Sequence, residues 1–208
     1  MTNVQVPGLQ VTGFPVPGAQ PLRGKKVYVS FSAEVNAHTI ESLLAVMAAY
    51  ASQGVAEVQL LLSTPGGVVM NGINAYNVLR AFPFKLVTHN VGNVDSIGNA
   101  IFLAGEDRYA CEHSTFMFHG CAAGIASGTT KFEAKQLREV LGSIDADNLR
   151  IASIVEQRSK LTRTKIKSFF REAHTINAAE AVSAGIVDEI RDVQIPVGSP
   201  VVSLVFQR

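Results

Sequence analysis

From residue 25 to residue 118 the hydrophobic pattern passes back and forth between strand-like and helix-like periodicity, and this alternation restricts the fold more than any other feature of the chain. Val27, Val29 and Phe31 alternate as in a strand with one buried face. Asn36 is placed to cap a helix on which Ile40, Leu43, Leu44 and Met47 fall at i, i+3, i+4 and i+7, and Gly54 supplies its stop. A second apolar strand at 58–63 runs into Thr64-Pro65-Gly66-Gly67, after which Ile73, Tyr76, Leu79 and Phe82 mark another helix. A strand at 84–91, a short helix at 96–104 and a strand at 115–118 follow. Strands joined through helices predict an α/β domain with a largely parallel sheet, because a parallel pair needs a crossover. Ligand chemistry then belongs at the strand ends.

The flanks differ. The first 22 residues carry no charged side chain and hold four of the eight prolines, so 1–22 reads as an extended arm, disordered or packed on a neighbour, ahead of a domain at 23–208. The arm lacks the basic start and continuous apolar stretch of a secretory signal. The longest uncharged runs beyond it are too short, or broken by the Pro-Gly turn, to span a bilayer, so the expectation is a cytoplasmic protein with no membrane partner. After His119 the segment 120–130 is small and flexible in character. The segment 131–171 is helix-rich, with Leu137, Val140, Leu141 and Ile144 on one face, and predicts a projecting helical element. A helix within 178–190 runs into Gly185-Ile186-Val187-Asp188, and 195–206 is β-prone.

With 208 residues the chain can bury a full core as one domain without disulfides or a metal. Eighteen basic against seventeen acidic side chains leave a net charge of +1, which gives no field to recruit nucleic acid. Charged residues are 17% where about 25% is usual, and apolar residues reach 47%, which points to surface covered by another subunit. Cys111 and Cys121 are too few and too far apart for a zinc site or a disulfide framework, and read as buried free thiols in a reducing compartment.

Three places carry candidate chemistry. The two glycines after the second strand allow the backbone amides of Gly67 and Val68 to face a cavity and hold an oxyanion, although the same tetrapeptide also makes an ordinary turn. Ser96 follows the third strand at a helix start, where it is either an exposed nucleophile or a helix cap, and Gly-x-Ser-x-Gly is not matched. His119 ends the strand Phe116-Met117-Phe118, as a base or as a core histidine satisfied by backbone. His89, on a strand, is its rival, while His38, His113 and His174 fall in a helix start, a turn and a loop.

Leu61-Leu62-Ser63-Thr64-Pro65-Gly66-Gly67-Val68-Val69, then Asp95-Ser96-Ile97-Gly98-Asn99-Ala100-Ile101-Phe102-Leu103-Ala104-Gly105, then Phe116-Met117-Phe118-His119 resemble the three successive motifs of the Clp protease proteolytic subunit family. The steps of 29 positions (96 − 67) and 23 positions (119 − 96) agree with that layout, the second slightly compressed. The similarity runs over 25–190, and Glu180-Ala181-Val182 with Gly185-Ile186-Val187-Asp188 resembles the family's closing helix and strand. The resemblance implies a crotonase-like α/β spiral of βαβ units with a projecting helical element. It also implies a serine-type endopeptidase acting on unfolded polypeptide without cofactor or metal. In that reading Ser96 is the nucleophile, His119 the general base, and the amides of Gly67 and Ile97 the oxyanion hole. A heptameric ring, one or two rings deep with the 131–171 element between rings, and an AAA+ ATPase unfoldase are the implied partners.

The family's orienting Asp lies seven residues before the Glu of the Glu-Ala-Val stretch, and here 180 − 7 = 173 is Ala173. The third triad member is therefore unknown. Glu172 is adjacent but should point elsewhere. Asn177, a carboxylate of another subunit, or a water are the substitutes, so His119 is expected to rest on a neutral or water-mediated acceptor. A Ser-Lys dyad through Lys131 or Lys135, as in the signal-peptide-peptidase relatives of the superfold, is a further route. The competing classes are a weakly active or inactive structural ring subunit and a crotonase-like acyl-CoA enzyme.

Overall fold

A computed structural model describes residues 9–12, 22–124, 131 and 133–206. The chain order is β1 (Leu9–Thr12), β2 (Lys26–Ser32), α1 (Ala37–Ser52), β3 (Glu57–Thr64), α2 (Val69–Leu79), β4 (Lys85–Asp95), α3 (Gly98–Phe102), β5 (Asp107–Ala110) and β6 (Thr115–Phe118). Then come α4 (Ala134–Arg158), α5 (Arg163–Glu172), β7 (His174–Asn177), α6 (Ala178–Ser183), β8 (Glu189–Ile190) and β9 (Val201–Phe206). The main sheet runs β1-β9-β2-β3-β4-β5-β8, with β6 paired to β4 and to β7. Only β1/β9 and β6/β7 are antiparallel among these pairs. The expected α/β architecture is the observed one.

Local chemistry accounts for the elements that frame the site. Val27, Val29 and Phe31 on β2 are fully buried, each contributing about 1.5–3 kcal/mol relative to exposure. Asn36 and Thr39 form a reciprocal capping box at the start of α1, and Gly54, at φ +68°, turns the chain out after its end. Ile40, Leu43 and Met47 are buried as expected, while Leu44 sits half-buried at the edge of that stripe.

Three differences from the sequence reading have physical causes. Part of the expected arm is strand: residues 9–12 pair with β9 of the same chain, and Leu22 is buried in the core, while the rest of 1–21 lies outside the described residues. Residues 125–130 of the small-residue segment are likewise outside them. The apolar stripe of α4 does not pack inward: Leu137, Val140 and Leu141 are exposed, and only the second half of the helix, through Ile151, Ile154 and Val155, reaches the core. Cys111 and Cys121 are free but half-buried rather than enclosed.

Candidate active site

The site is organised by β4, which changes partner along its length. Its residues 87–90 pair with β5, while 93–95 pair with β6. The far end of β4 is thereby laid beside the strand that leads to His119. Ser96 follows directly, and its backbone is left-handed at φ 55°, a region non-glycine residues rarely occupy and which costs about 1–3 kcal/mol. Tertiary bonds hold it there. The Ser96 amide donates to the Met117 carbonyl at 2.8 Å. The Asn99 side-chain amide donates to both the Ser96 carbonyl at 3.0 Å and the Met117 carbonyl at 2.8 Å.

Ser96 is not a helix cap. The short helix begins at Gly98 rather than 96, its capping position is Ile97, and no side chain caps it. Strand, left-handed serine and helix form a sharp elbow without the Gly-x-Ser-x-Gly signature, because neighbouring glycines provide the space. A Cβ built on Gly66 would lie 2.7 Å from Ser96 Cβ, and one on Gly98 would strike the Thr64 methyl. The turn after β3 therefore rests directly on the serine turn.

That contact brings backbone donors to the serine. Neither the Gly67 nor the Ile97 amide has a hydrogen-bond partner among the described residues, whereas Gly66 donates to Thr64 Oγ1 at 3.1 Å. The Val68 amide, expected to face the cavity, instead donates to the Val35 carbonyl at 2.7 Å. The cause is a parallel bridge between Val35 and Gly67, which consumes the Val68 donor and holds Gly67 at φ +147°, where any side chain would strike that carbonyl.

His119 lies one residue past β6. Phe116 and Phe118 point into the core, at 0% and 2% exposure, so strand alternation sends Met117 and His119 to the opposite face. Asp95 and Asn93 lie on that same face through the β4/β6 register, and Asn93 donates to Asp95 Oδ2 at 2.6 Å. His119 Nδ1 is 2.7 Å from the Gly120 carbonyl oxygen. A carbonyl only accepts, so Nδ1 carries the proton and Nε2 keeps the lone pair that a general base requires. That acceptor is neutral. The Ser96 hydroxyl and His119 Nε2 make no hydrogen bond with described residues.

The β6/β7 register ends at the pair Phe118–His174, and His119 and Ala173 are the next residues beyond it on the two segments of the pair. Ala173 ends α5 in a left-handed conformation at φ 49° and is exposed. Its neighbours are committed elsewhere. Glu172 accepts from Ser168 at 2.7 Å and from Arg171 at 3.1 Å, bonds that hold its carboxyl below the usual range. Asn177 caps α6 and pairs with Thr115.

The rivals separate from this cluster. His89 lies earlier on β4, buried, with Nε2 2.9 Å from the Arg191 carbonyl, and burial pushes its pKa down. His38 packs edge-on against Phe206, and His174 stacks on Phe169. Lys135 is exposed in the first turn of α4, 3.9 Å from Glu139. Burial raises the pKa of both thiols, which keeps them protonated and poorly nucleophilic. Asn99 and Gly120 were not singled out by sequence reasoning. Asn99 was detectable as a polar residue inside an apolar helix, but the carbonyl of Gly120 leaves no trace in a sequence.

A family model described as Clp protease matches residues 23–194. The "ATP-dependent Clp protease proteolytic subunit" of Deinococcus radiodurans is 28% identical over 138 residues, 65% of each chain. The "ATP-dependent Clp protease proteolytic subunit 2" of Prochlorococcus marinus is 28% identical over 186 residues, 84% of this chain and 91% of that one. The chain spans just under two thirds of the Deinococcus relative and 64% of its Chlamydia trachomatis counterpart, to which it is 26% identical. Among solved structures, a mutant ClpP1 from Listeria monocytogenes superposes with a TM-score of 0.72 at 19% identity, covering 80% of this chain and 92% of that one, a likeness of fold.

Proposed function

Since the chain belongs to the Clp protease family, we propose that it is a serine-type endopeptidase that hydrolyses peptide bonds of unfolded polypeptides. Ser96 Oγ attacks the scissile carbonyl while His119 Nε2 takes its proton. The amides of Gly67 and Ile97 hold the tetrahedral oxyanion, and the imidazolium then protonates the leaving amine. The observation that carries this reading is the strained serine elbow tied to Met117, two residues before a histidine whose Nδ1 proton is fixed by the Gly120 carbonyl. Serine–histidine bonds are often long in resting enzymes and tighten with substrate.

Chamber assembly belongs to the same proposal: a heptameric ring, stacked on a second through α4, fed by an AAA+ ATPase unfoldase. The exposed Leu137, Val140 and Leu141 favour it, since apolar residues in a row on one helix face call for cover. The cytoplasm is the proposed compartment; among the described residues no helix is long and apolar enough to cross a membrane.

One observation favours a second reading, a structural ring subunit with little or no activity: Ala173, which like His119 adjoins the last β6/β7 pair, carries no acid. A fluorophosphonate probe decides between them. Labelling of the assembled protein that disappears in Ser96→Ala is the expected result for the peptidase. Absence of labelling across neutral and alkaline pH establishes the scaffold.

A further inference from the structure

The end of α4, the end of α6 and the β5/β8 edge border an open cavity of about 480 Å³, lined by none of the residues assigned to the peptidase site. Its lining carries three cationic side chains, Arg108, Arg158 and Lys160, against one carboxylate, Asp188. That carboxylate is already used. Asp188 Oδ2 accepts from the Arg108 amide at 2.8 Å and Oδ1 from Arg108 Nη2 at 3.2 Å. Arg158 and Lys160 have no carboxylate partner among the described residues.

The donors are pre-positioned. Arg158 Nε and Nη2 donate to the carbonyls of Leu103 at 3.0 Å and Gly105 at 2.7 Å, which fixes the guanidinium and leaves Nη1 without a partner among the described residues. Arg108 Nη1 donates to the Arg158 carbonyl, binding the two arginines together, and the buried Arg108 Nε has no partner among the described residues. The stem of the exposed Lys160 lies against Gly185, where a Cβ would come within 2.7 Å of its Cγ. A second cavity of about 220 Å³ meets the first at Arg158 and adds one cation, Arg80, and one carboxylate, Glu106. Burial, then the charges of Arg108 and Arg80, push the Arg158 pKa below its ordinary value, and the nearby Asp188 carboxylate offsets this only in part.

We propose that this cavity binds the phosphate group of a small phosphoester. A dianion matches the two cations that have no carboxylate partner, and the Arg158 Nη1 donor beside the Lys160 ammonium suits phosphate oxygens. Val182 and Val187 on the cavity wall face the organic part of the ligand, and the volume exceeds what a lone phosphate fills.

The test is binding by the full-length protein, followed by calorimetry and phosphorus NMR, with phenyl phosphate, inorganic phosphate and, as controls, benzoate and chloride at matched ionic strength. Saturable binding of phenyl phosphate that benzoate does not reproduce is expected. Lys160→Gln should weaken it about threefold, as loss of an exposed charge partner does. Arg158→Lys should weaken it about tenfold, as loss of a charge-assisted, partly buried donor does. If Arg158→Lys does not fold, the exposed Lys160→Gln variant carries the test. Equal affinity for inorganic phosphate retains the anion site and makes free phosphate its ligand. No saturable binding of either phosphate, or binding unchanged in Lys160→Gln, overturns the proposal.

Discussion

Replacing Ala173 with Asp should raise peptide hydrolysis about tenfold, and the size of that gain follows from what the site already has. His119 and position 173 both adjoin the last β6/β7 pair, so the separation of a carboxylate at 173 from the ring is set at about 6 Å, the scale of a cross-strand pair. Loss of an orienting acid costs about 10⁴-fold where it leaves the wrong tautomer. Here the Gly120 carbonyl already fixes the Nδ1 proton, so only the charge term remains to be gained. Unit charges about 6 Å apart, at an effective dielectric of about 40 for a half-exposed ring, interact by about 1.4 kcal/mol, or tenfold in rate. Asp tolerates the left-handed backbone at this position better than most residues, although a carboxylate at the end of α5 opposes the helix dipole by about 0.5 kcal/mol. The assay is kcat/KM on a fluorogenic peptide, with assembly checked by light scattering. A folded, assembled variant with unchanged or lower kcat/KM refutes the reasoning, because it means that another group already serves His119 or that the side chain at 173 points away from it.

Three further outcomes follow from the same structure. Ser96→Gly should be more stable than Ser96→Ala by about 1 kcal/mol in urea unfolding, because glycine accepts the positive φ of the elbow without strain, and equal stabilities would deny the strain. His89 is buried with its pKa below the usual 6.5. The unfolded chain therefore takes up the proton first as pH falls below that value, so stability should decline there and the decline should flatten in His89→Gln; an unchanged pH profile of the urea midpoint contradicts this. Leu141, 60% exposed on α4, should support assembly, so Leu141→Glu should shift the protein to smaller particles in light scattering, and an unaltered particle size would remove α4 from the interface.

How much of this is legible in the sequence varies with the range of the cause. Local patterns read well: the alternation of Val27, Val29 and Phe31 and the capping by Asn36 are each decided within a few residues. β7 was not legible, since His-Thr-Ile-Asn buries only Ile176 and takes its strand conformation from pairing with β6. The start of α3 moves from 96 to 98 because the Met117 carbonyl, 21 positions away (117 − 96), draws the Ser96 amide out of helical geometry. The Val68 donor is lost to Val35 for the same kind of reason. Ser96, His119, Gly67 and Ile97 were singled out through ordered motifs, whereas the Gly120 carbonyl that polarises His119 became visible only in three dimensions.

The central claim, that these four residues form one hydrolytic centre, is tested most directly by a crystal structure of the protein soaked with a peptidyl boronate. The prediction is a boron–oxygen bond to Ser96 Oγ, one boronate oxygen within about 2.7–3.1 Å of both the Gly67 and Ile97 amides, and His119 Nε2 at hydrogen-bond distance from the adduct. A boronate bonded elsewhere, or an adduct on Ser96 whose oxygens meet neither amide, contradicts it.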